Sequence, residues 1–425
     1  MVVSQAVWAN ILEIVDVFNP NEHFNDGESD ALRSRINDDM RKSITFIVTK
    51  DCQLACKYCY LVGKNPYGKM SFETARKAVD FVLSDPFCNE SDSVQFEFIG
   101  GEPFIEIDLI DKICDYIKLE MYRRNHKWFD DYVFLFTTNG INYHSDKVRE
   151  YIHKNRRHLE ICMTIDGTRK KHDLNRVYKN TGKGSYDDVV RNIPLWLEEF
   201  PGIHTKVTIS SADIPYIKES VLHIYDLGIS GVMINCVFED VWHPGDDKAF
   251  EQQLIELADE IIDRKLYETH VCSFFDEKIG KPFKDDGNWC GAGMMLSVDS
   301  AGNFYPCTRF AAYSLREKQP IIIGNINDGI NYDLLRPFLT LKRSVQSPRE
   351  CMECDVASGC AWCQGENYDA ALTETINQRA VAICKMHKAQ VRANNYYWSK
   401  LFRSLEDTYG SKDLSHVARQ RFKSC

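Results

Sequence analysis

Apolar, β-rich runs recur at Ile44–Thr49, Val94–Ile99, Tyr132–Thr137, His158–Ile165, His204–Ser210 and Gly231–Val237. Between them the apolar positions change from a period of two to the helical period, as in Ser71–Leu83, Asp108–Arg124 and Tyr186–Phe200. Six strand-then-helix units in about 195 residues predict an α/β fold on a parallel sheet, closed or open. Such sheets carry their chemistry on loops at the carboxyl ends of the strands. Residues 248–268 predict one further helix and Ala380–Leu405 another. Residues 1–43 are polar and irregular apart from an apolar stretch, Val7 to Phe18. Between 289 and 384 the periodicity is weak and cysteines are dense, and a region with so little core needs metal staples.

Length and charge narrow the picture. A chain of 425 residues exceeds one ordinary core and predicts two or three domains. A formal charge of −10 makes a phosphate backbone a poor partner, so no nucleic acid is expected. Met1 to Asn10 lacks a basic region before an apolar core, so no secretory signal is read there. No uncharged apolar run approaches the roughly 18 residues of a membrane span, so no membrane is expected. The chain reads as cytoplasmic. In a reducing compartment its 16 cysteines are metal ligands where clustered and buried hydrophobes elsewhere.

Directly after the first strand stands Cys52-Gln-Leu-Ala-Cys56-Lys-Tyr-Cys59, a C-x3-C-x2-C run. Three thiolates on one tight loop can hold three irons of a cubane and leave the fourth without a protein ligand. The amino and carboxylate groups of S-adenosylmethionine (SAM) can occupy that iron. The bland alternative is a zinc knot completed by a distant Cys or His, although zinc loops favour paired C-x2-C spacing.

This spacing, with an aromatic before the last cysteine, resembles the signature of the radical SAM superfamily. The resemblance implies a partial (β/α)6 barrel, one SAM-binding 4Fe–4S cluster, and reductive cleavage of SAM to a 5′-deoxyadenosyl radical. Tyr58 would lie along the adenine. Gly100-Gly101-Glu102-Pro103, ending strand two, resembles the family's GGEP motif, in which the acid holds the SAM amino group. On residues alone, two glycines let backbone approach a ligand and Glu102 accepts from an ammonium. A plain loop would look the same. Thr137-Thr138-Asn139-Gly140 ends strand three and reads equally as a mere turn. Strand four ends Thr164-Ile-Asp166-Gly167, followed by His172, Asp173 and Arg176. That stretch resembles the S-x-D-G…H-D…R pattern of enzymes that mature peptides and sulfatases. It implies that Thr164 meets the SAM ribose and Arg176 its carboxylate, a grip suited to a planar guanidinium. Val237, ending strand six, would lie against the adenine, as could any apolar core residue.

A second cysteine set follows: Cys290, Cys307, then Cys351-x2-Cys354-x5-Cys360-x2-Cys363, and Cys384. Cys351, Cys354, Cys360 and Cys363 alone would fit one zinc, leaving the other three unexplained. The whole set resembles the SPASM domain, which carries two auxiliary 4Fe–4S clusters, for three in all. By that resemblance Cys290, Cys307 and Cys363 bind auxiliary cluster I, and Cys351, Cys354, Cys360 and Cys384 bind auxiliary cluster II. The last pair is C-x2-C where the family usually has C-x3-C. Cluster I then needs a fourth ligand, either Cys272 or an open site. The implied organisation is an N-terminal extension (1–43), a radical SAM barrel (44–240), a helical linker (241–288), a SPASM domain (289–390) and a C-terminal helix and tail (391–425). About 43 residues before strand one are too few for the winged-helix leader-binding module found in many such maturases.

Three functions compete. A peptide maturase would install a cross-link in a ribosomally made precursor peptide, with a Cys-derived thioether leading and a carbon–carbon bond as the close alternative. An anaerobic sulfatase-maturating enzyme would make formylglycine. A non-enzymatic cluster protein would have no use for an open-iron loop beside a carboxylate clamp. Sulfatase-maturating enzymes carry an Asp base directly after the cysteine matching Cys307, and here Thr308 stands there. Threonine cannot act as a base near neutral pH, although Asp299 could substitute. The reading is therefore a peptide maturase supplied by a low-potential donor such as flavodoxin or ferredoxin.

Overall fold

The computed structural model describes residues 41–276, 279, 290–356, 360 and 362–409. Nearly all of the N-terminal extension, the end of the linker (277–278 and 280–288) and the end of the tail lie outside the described residues. All six strands are present: β1 (Lys42–Thr49), β2 (Val94–Gly100), β3 (Tyr132–Thr138), β4 (Leu159–Met163), β5 (His204–Ile209) and β6 (Gly231–Cys236). They run parallel in chain order, with a single bridge between Thr164 and Lys206 joining β4 to β5. This is the partial (β/α)6 barrel.

Period-two alternation sorts the two faces. Phe46, Phe98 and Phe136 stack across β1, β2 and β3 at centroid distances of 5.6 and 5.4 Å. Phe136 also meets Tyr151 of the covering helix α3 (Asp146–Asn155), so this face points outward to the helices. Thr45, Glu97, Leu135 and Thr137 alternate with those rings and therefore face the barrel interior. Helix α1 (Phe72–Val82) shows why the outer layer forms. Ser71 caps it by accepting from the Thr74 amide at 3.0 Å. Ala75, Ala78, Val79 and Val82 then recur at helical spacing and bury against the sheet. Each buried valine contributes about 1.5–3 kcal/mol. Helix α2 (Ile107–Arg123) repeats the pattern.

One helix departs from expectation. The periodicity over Tyr186–Phe200 predicts a single element, but two form: α5 (Tyr186–Val190) and α6 (Ile193–Glu199), after the short α4 (Arg169–Asn175). Pro194 has no N–H for the Val190 carbonyl. The Asn192 side chain instead donates to the Gly140 carbonyl at 2.8 Å, pinning the break to the β3 loop. After α7 (Ile217–Asp226), α8 spans Asp246–Asp263 rather than reaching residue 268. Lys265 there takes a left-handed backbone, with φ at 54°.

The segment read as linker adds β7 (Val271–Cys272), parallel to β6. On the other side β8 (Leu296–Val298) pairs parallel with β1 and carries the antiparallel β9 (Asn303–Tyr305), β10 (Gly324–Asn325) and β11 (Gly329–Ile330). The cysteine-rich region thus extends the barrel's own sheet, and Lys42–Ser399 form one compact unit. Its helices include α9 (Tyr332–Thr340), α10 (Gln364–Ala370) and α11 (Cys384–Tyr409). No described helix is long and apolar enough to cross a membrane. No disulfide joins any described cysteine. Cys88, Cys114, Cys162 and Cys272 are buried.

Candidate active site

The cysteine loop leaves β1 at the carboxyl end of the barrel and is laced from two sides. Gly101 and Glu102 donate their amides to the carbonyls of Thr49 and Asp51, at 3.1 and 2.8 Å. Opposite, Ala55 and Lys57 donate to the carbonyls of Val177 and Asn175, at 2.8 and 3.2 Å, and Lys179 donates back to Gln53. A Cβ on Gly101 would lie 2.1 Å from the Asp51 carbonyl oxygen. The two glycines of strand two thus let the backbone close on the cysteine loop itself, a partner the sequence does not reveal.

Glu102 is buried and accepts from the Phe104 amide, the Thr138 hydroxyl at 2.7 Å and the Asn139 amide at 2.8 Å. Burial pushes its carboxyl above the ordinary glutamate value despite these donors. Three of about four acceptor positions are filled, leaving one for an ammonium. Asn139 is more than a turn residue. Its side-chain amide donates to Gln53 at 3.1 Å and stands 3.9 Å from the Cys52 sulfur.

Around the β4 end a buried network forms. The Tyr58 hydroxyl donates to Asp166, and Arg176 donates to that same hydroxyl at 2.8 Å. Tyr58 therefore has its polar edge committed to these two groups. Burial alone would raise Asp166, but Lys171 and Arg176, with the Tyr58 hydroxyl bond, hold its carboxyl below the usual range. His172 is buried, and desolvation, then Arg176, push its pKa down to about 3. Its Nδ1 accepts from the Asp166 amide, so Nε2 carries the proton and donates to Ser185 at 3.0 Å. Arg176 Nε is buried with no partner, an N–H available to a carboxylate. Thr164 and Val237 are buried at the ends of β4 and β6, and the Thr164 amide donates to Thr138.

Thiols are brought together in three groups. Cys52 and Cys56 feel each other, as do Cys56 and Cys59, and Lys64 interacts with all three. Cys307 interacts with Cys290 and Cys363. Cys351, Cys354, Cys360 and Cys384 interact with one another and line one cavity with Arg379 and Lys388. Cys272 stays apart in the core beside Tyr225 and Tyr397, its thiol pushed up to about 12 by burial. Among the described residues no three His, Cys, Asp or Glu side chains converge on a single metal ion.

Residues 40–186 match the family described as a 4Fe-4S single cluster domain. A radical SAM cyclopropyl synthase, TigE of Paramaledivibacter caminithermalis, is 21% identical over 75% of this chain and 67% of its own length. The antilisterial bacteriocin subtilosin biosynthesis protein AlbA of Bacillus subtilis is 24% identical over 75% of this chain and 66% of its own. The chain is thus similar to radical SAM enzymes. An uncharacterized protein of Methanocaldococcus jannaschii is 28% identical over 68% of this chain and 90% of that one. In fold, the chain resembles anSMEcpe with bound AdoMet, at a TM-score of 0.64 and 18% identity, covering 85% of this chain and 98% of that one. It also resembles Streptococcus suis SuiB bound to precursor peptide SuiA, at 0.52 and 13%, covering 89% and 87%.

The site's residues fit what radical SAM chemistry requires. Three thiols grouped on one loop would leave one iron of a cubane without a protein ligand, and Arg176, which interacts with Cys56, offers a buried Nε–H with no partner. Two further features escape the sequence. Glu97 accepts from Thr45 at 3.1 Å, and burial raises its carboxyl. On β2 it faces the barrel interior, near Tyr60 and Tyr313. Arg309 joins Glu239 and Glu366, each at 2.8 Å, and interacts with Cys363 and Cys307. Strand alternation could have singled out Glu97. Arg309 has no sequence signal, because its partners are distant along the chain.

Proposed function

We propose that this chain is a radical SAM peptide maturase of the SPASM type, which installs a cross-link in a ribosomally made precursor peptide, foremost a Cys-derived thioether. Cys52, Cys56 and Cys59 would hold the SAM-binding cluster. Cys290, Cys307 and Cys363 would hold auxiliary cluster I, and Cys351, Cys354, Cys360 and Cys384 auxiliary cluster II. Glu102 would take the SAM ammonium and Arg176 its carboxylate, with Thr164, Tyr58 and Val237 along the nucleoside. The chemistry such a cluster and SAM supply is a 5′-deoxyadenosyl radical, which takes hydrogen from carbon.

The observation that carries the choice of cross-link over formylglycine is the surroundings of Cys307. Thr308, where a carboxylate base would stand, offers only a neutral hydroxyl beside Tyr60. Asp299, the substitute the sequence offers, already accepts from the amides of Ala301 and Asn303 and from the Tyr305 hydroxyl at 2.8 Å. It serves the β8–β9 turn. A relative named for subtilosin biosynthesis and a fold neighbour bound to a precursor peptide support the peptide substrate. A cyclopropyl synthase among the relatives keeps carbon–carbon bond formation as the second reading.

Mass spectrometry on a Cys-containing partner peptide, with iodoacetamide and hydrazine labelling in parallel, tests this. A thioether removes two hydrogens and one alkylatable thiol. A hydrazine-reactive aldehyde would defeat the maturase reading. Loss of two hydrogens with every thiol free would establish the carbon–carbon alternative.

A further inference from the structure

Each thiol group has cations beside it, but they are not equivalent. Arg309, beside Cys307 and Cys363, is neutralised by two carboxylates, Glu239 and Glu366. Arg379, beside Cys351 and Cys360, lies over the Trp362 ring at 4.8 Å and donates to Ser347. Lys64 is different. It follows Cys59 in the turn that leaves the cysteine loop, and both neighbours are pinned. The Gly63 amide donates to the Tyr313 carbonyl at 3.0 Å, and the Asn65 amide to the Lys50 carbonyl at 3.1 Å. A Cβ on Gly63 would already lie 3.0 Å from the Tyr313 Cα, so this turn is seated closely.

Held there, the Lys64 side chain runs back over the loop. Its ammonium donates to the Leu54 carbonyl at 3.4 Å and interacts electrostatically with Cys59, Cys52 and Cys56. No carboxylate among the described residues pairs with it. It is half-buried, so water screens it less than a surface lysine. A solvated surface lysine would point outward and would not donate to a carbonyl inside the cysteine loop.

A cluster bound by three thiolates is anionic, and an added electron makes it more so. A fixed cation beside it stabilises the reduced form more than the oxidised one. We propose that Lys64 is the counter-charge of the SAM-binding iron–sulfur cluster, a positioning residue that makes this cluster easier to reduce. The inference rests on Cys52, Cys56 and Cys59 being the ligands of that cluster. It assigns the lysine to the cluster's potential and not to SAM or peptide contact.

The test is an anaerobic redox titration of the reconstituted full chain followed by electron paramagnetic resonance. The signal component that changes on adding SAM identifies the relevant cluster. Lys64→Gln should keep its iron and lose about tenfold in the reduced-to-oxidised ratio at a fixed donor potential, a downward shift of ~59 mV for one electron. Lys64→Arg, which keeps the charge, should titrate with the wild type. A glutamine variant with full iron and an unchanged potential would overturn the inference. If the glutamine variant loses iron, the arginine variant decides. Restored iron and potential support a charge requirement, and iron loss in both variants overturns it. A wild type without any SAM-sensitive signal would instead defeat the cluster assignment itself.

Discussion

The guanidinium of Arg309 lies over the ring of Tyr60, 4.8 Å from its centroid, and so ties the residue after Cys59 to the segment after Cys307. Through this one contact the cysteine loop of the barrel and the C-terminal thiols share a wall. Arg309→Gln removes the stacking and both ion pairs and leaves Glu366, only 3% exposed, without one of its two cations. We expect about 3 kcal/mol of destabilisation, seen as a melting midpoint several degrees lower. An unchanged midpoint would mean that the contact is incidental.

Arg176→Lys should weaken SAM binding by about tenfold, roughly 1.4 kcal/mol, while the fold persists. A lysine keeps the charge but loses both the planar grip and the Nη1 bond to Tyr58. Anaerobic binding measurements decide this, and wild-type affinity would place the SAM carboxylate elsewhere.

Replacing Cys52, Cys56 and Cys59 together with Ala should abolish 5′-deoxyadenosine formation from SAM under dithionite. The wild type should reconstitute with about twelve irons and this variant with about eight, because the other thiol groups are separate. A wild type with only four irons and stoichiometric zinc would revive a zinc module in the C-terminal region.

His172 sets an acid limb of stability. Its ordinary value is 6.5 and its folded value about 3, so the unfolded chain binds this proton first as pH falls. The stability it contributes is complete above 6.5 and is lost progressively between 6.5 and about 3. The slope is up to about 1.4 kcal/mol per pH unit. Denaturant unfolding of His172→Gln across that range should show a slope shallower by this amount. Parallel slopes would mean that the imidazole charges without penalty.

Much of the architecture is local and therefore legible along the chain. The β1–β6 alternation, the Ser71 cap and the α1 stripe each depend on neighbours a few residues away, where period and propensity act directly. The C-x3-C-x2-C loop is legible for the same reason, since its three thiols share one turn. Where a local rule met a tertiary one, the tertiary one prevailed. Pro194 and the Asn192 bond to Gly140 split a helix that periodicity alone would continue.

What the sequence determined by itself was the parallel α/β sheet and its cysteine loop, because short-range patterning dictates strands, helices and tight turns; that the sheet closes into a barrel was implied only by the family resemblance. Only the tertiary structure decided which distant thiols stand together, that Cys272 stays in the core, and that Asp299 is consumed by its own turn. It also decided that β8 joins the barrel sheet at β1 and that Lys64 bends back over the cysteines. These are contacts between residues far apart in sequence. Their energies come from burial and hydrogen bonding across elements, and no spacing along a single segment encodes them.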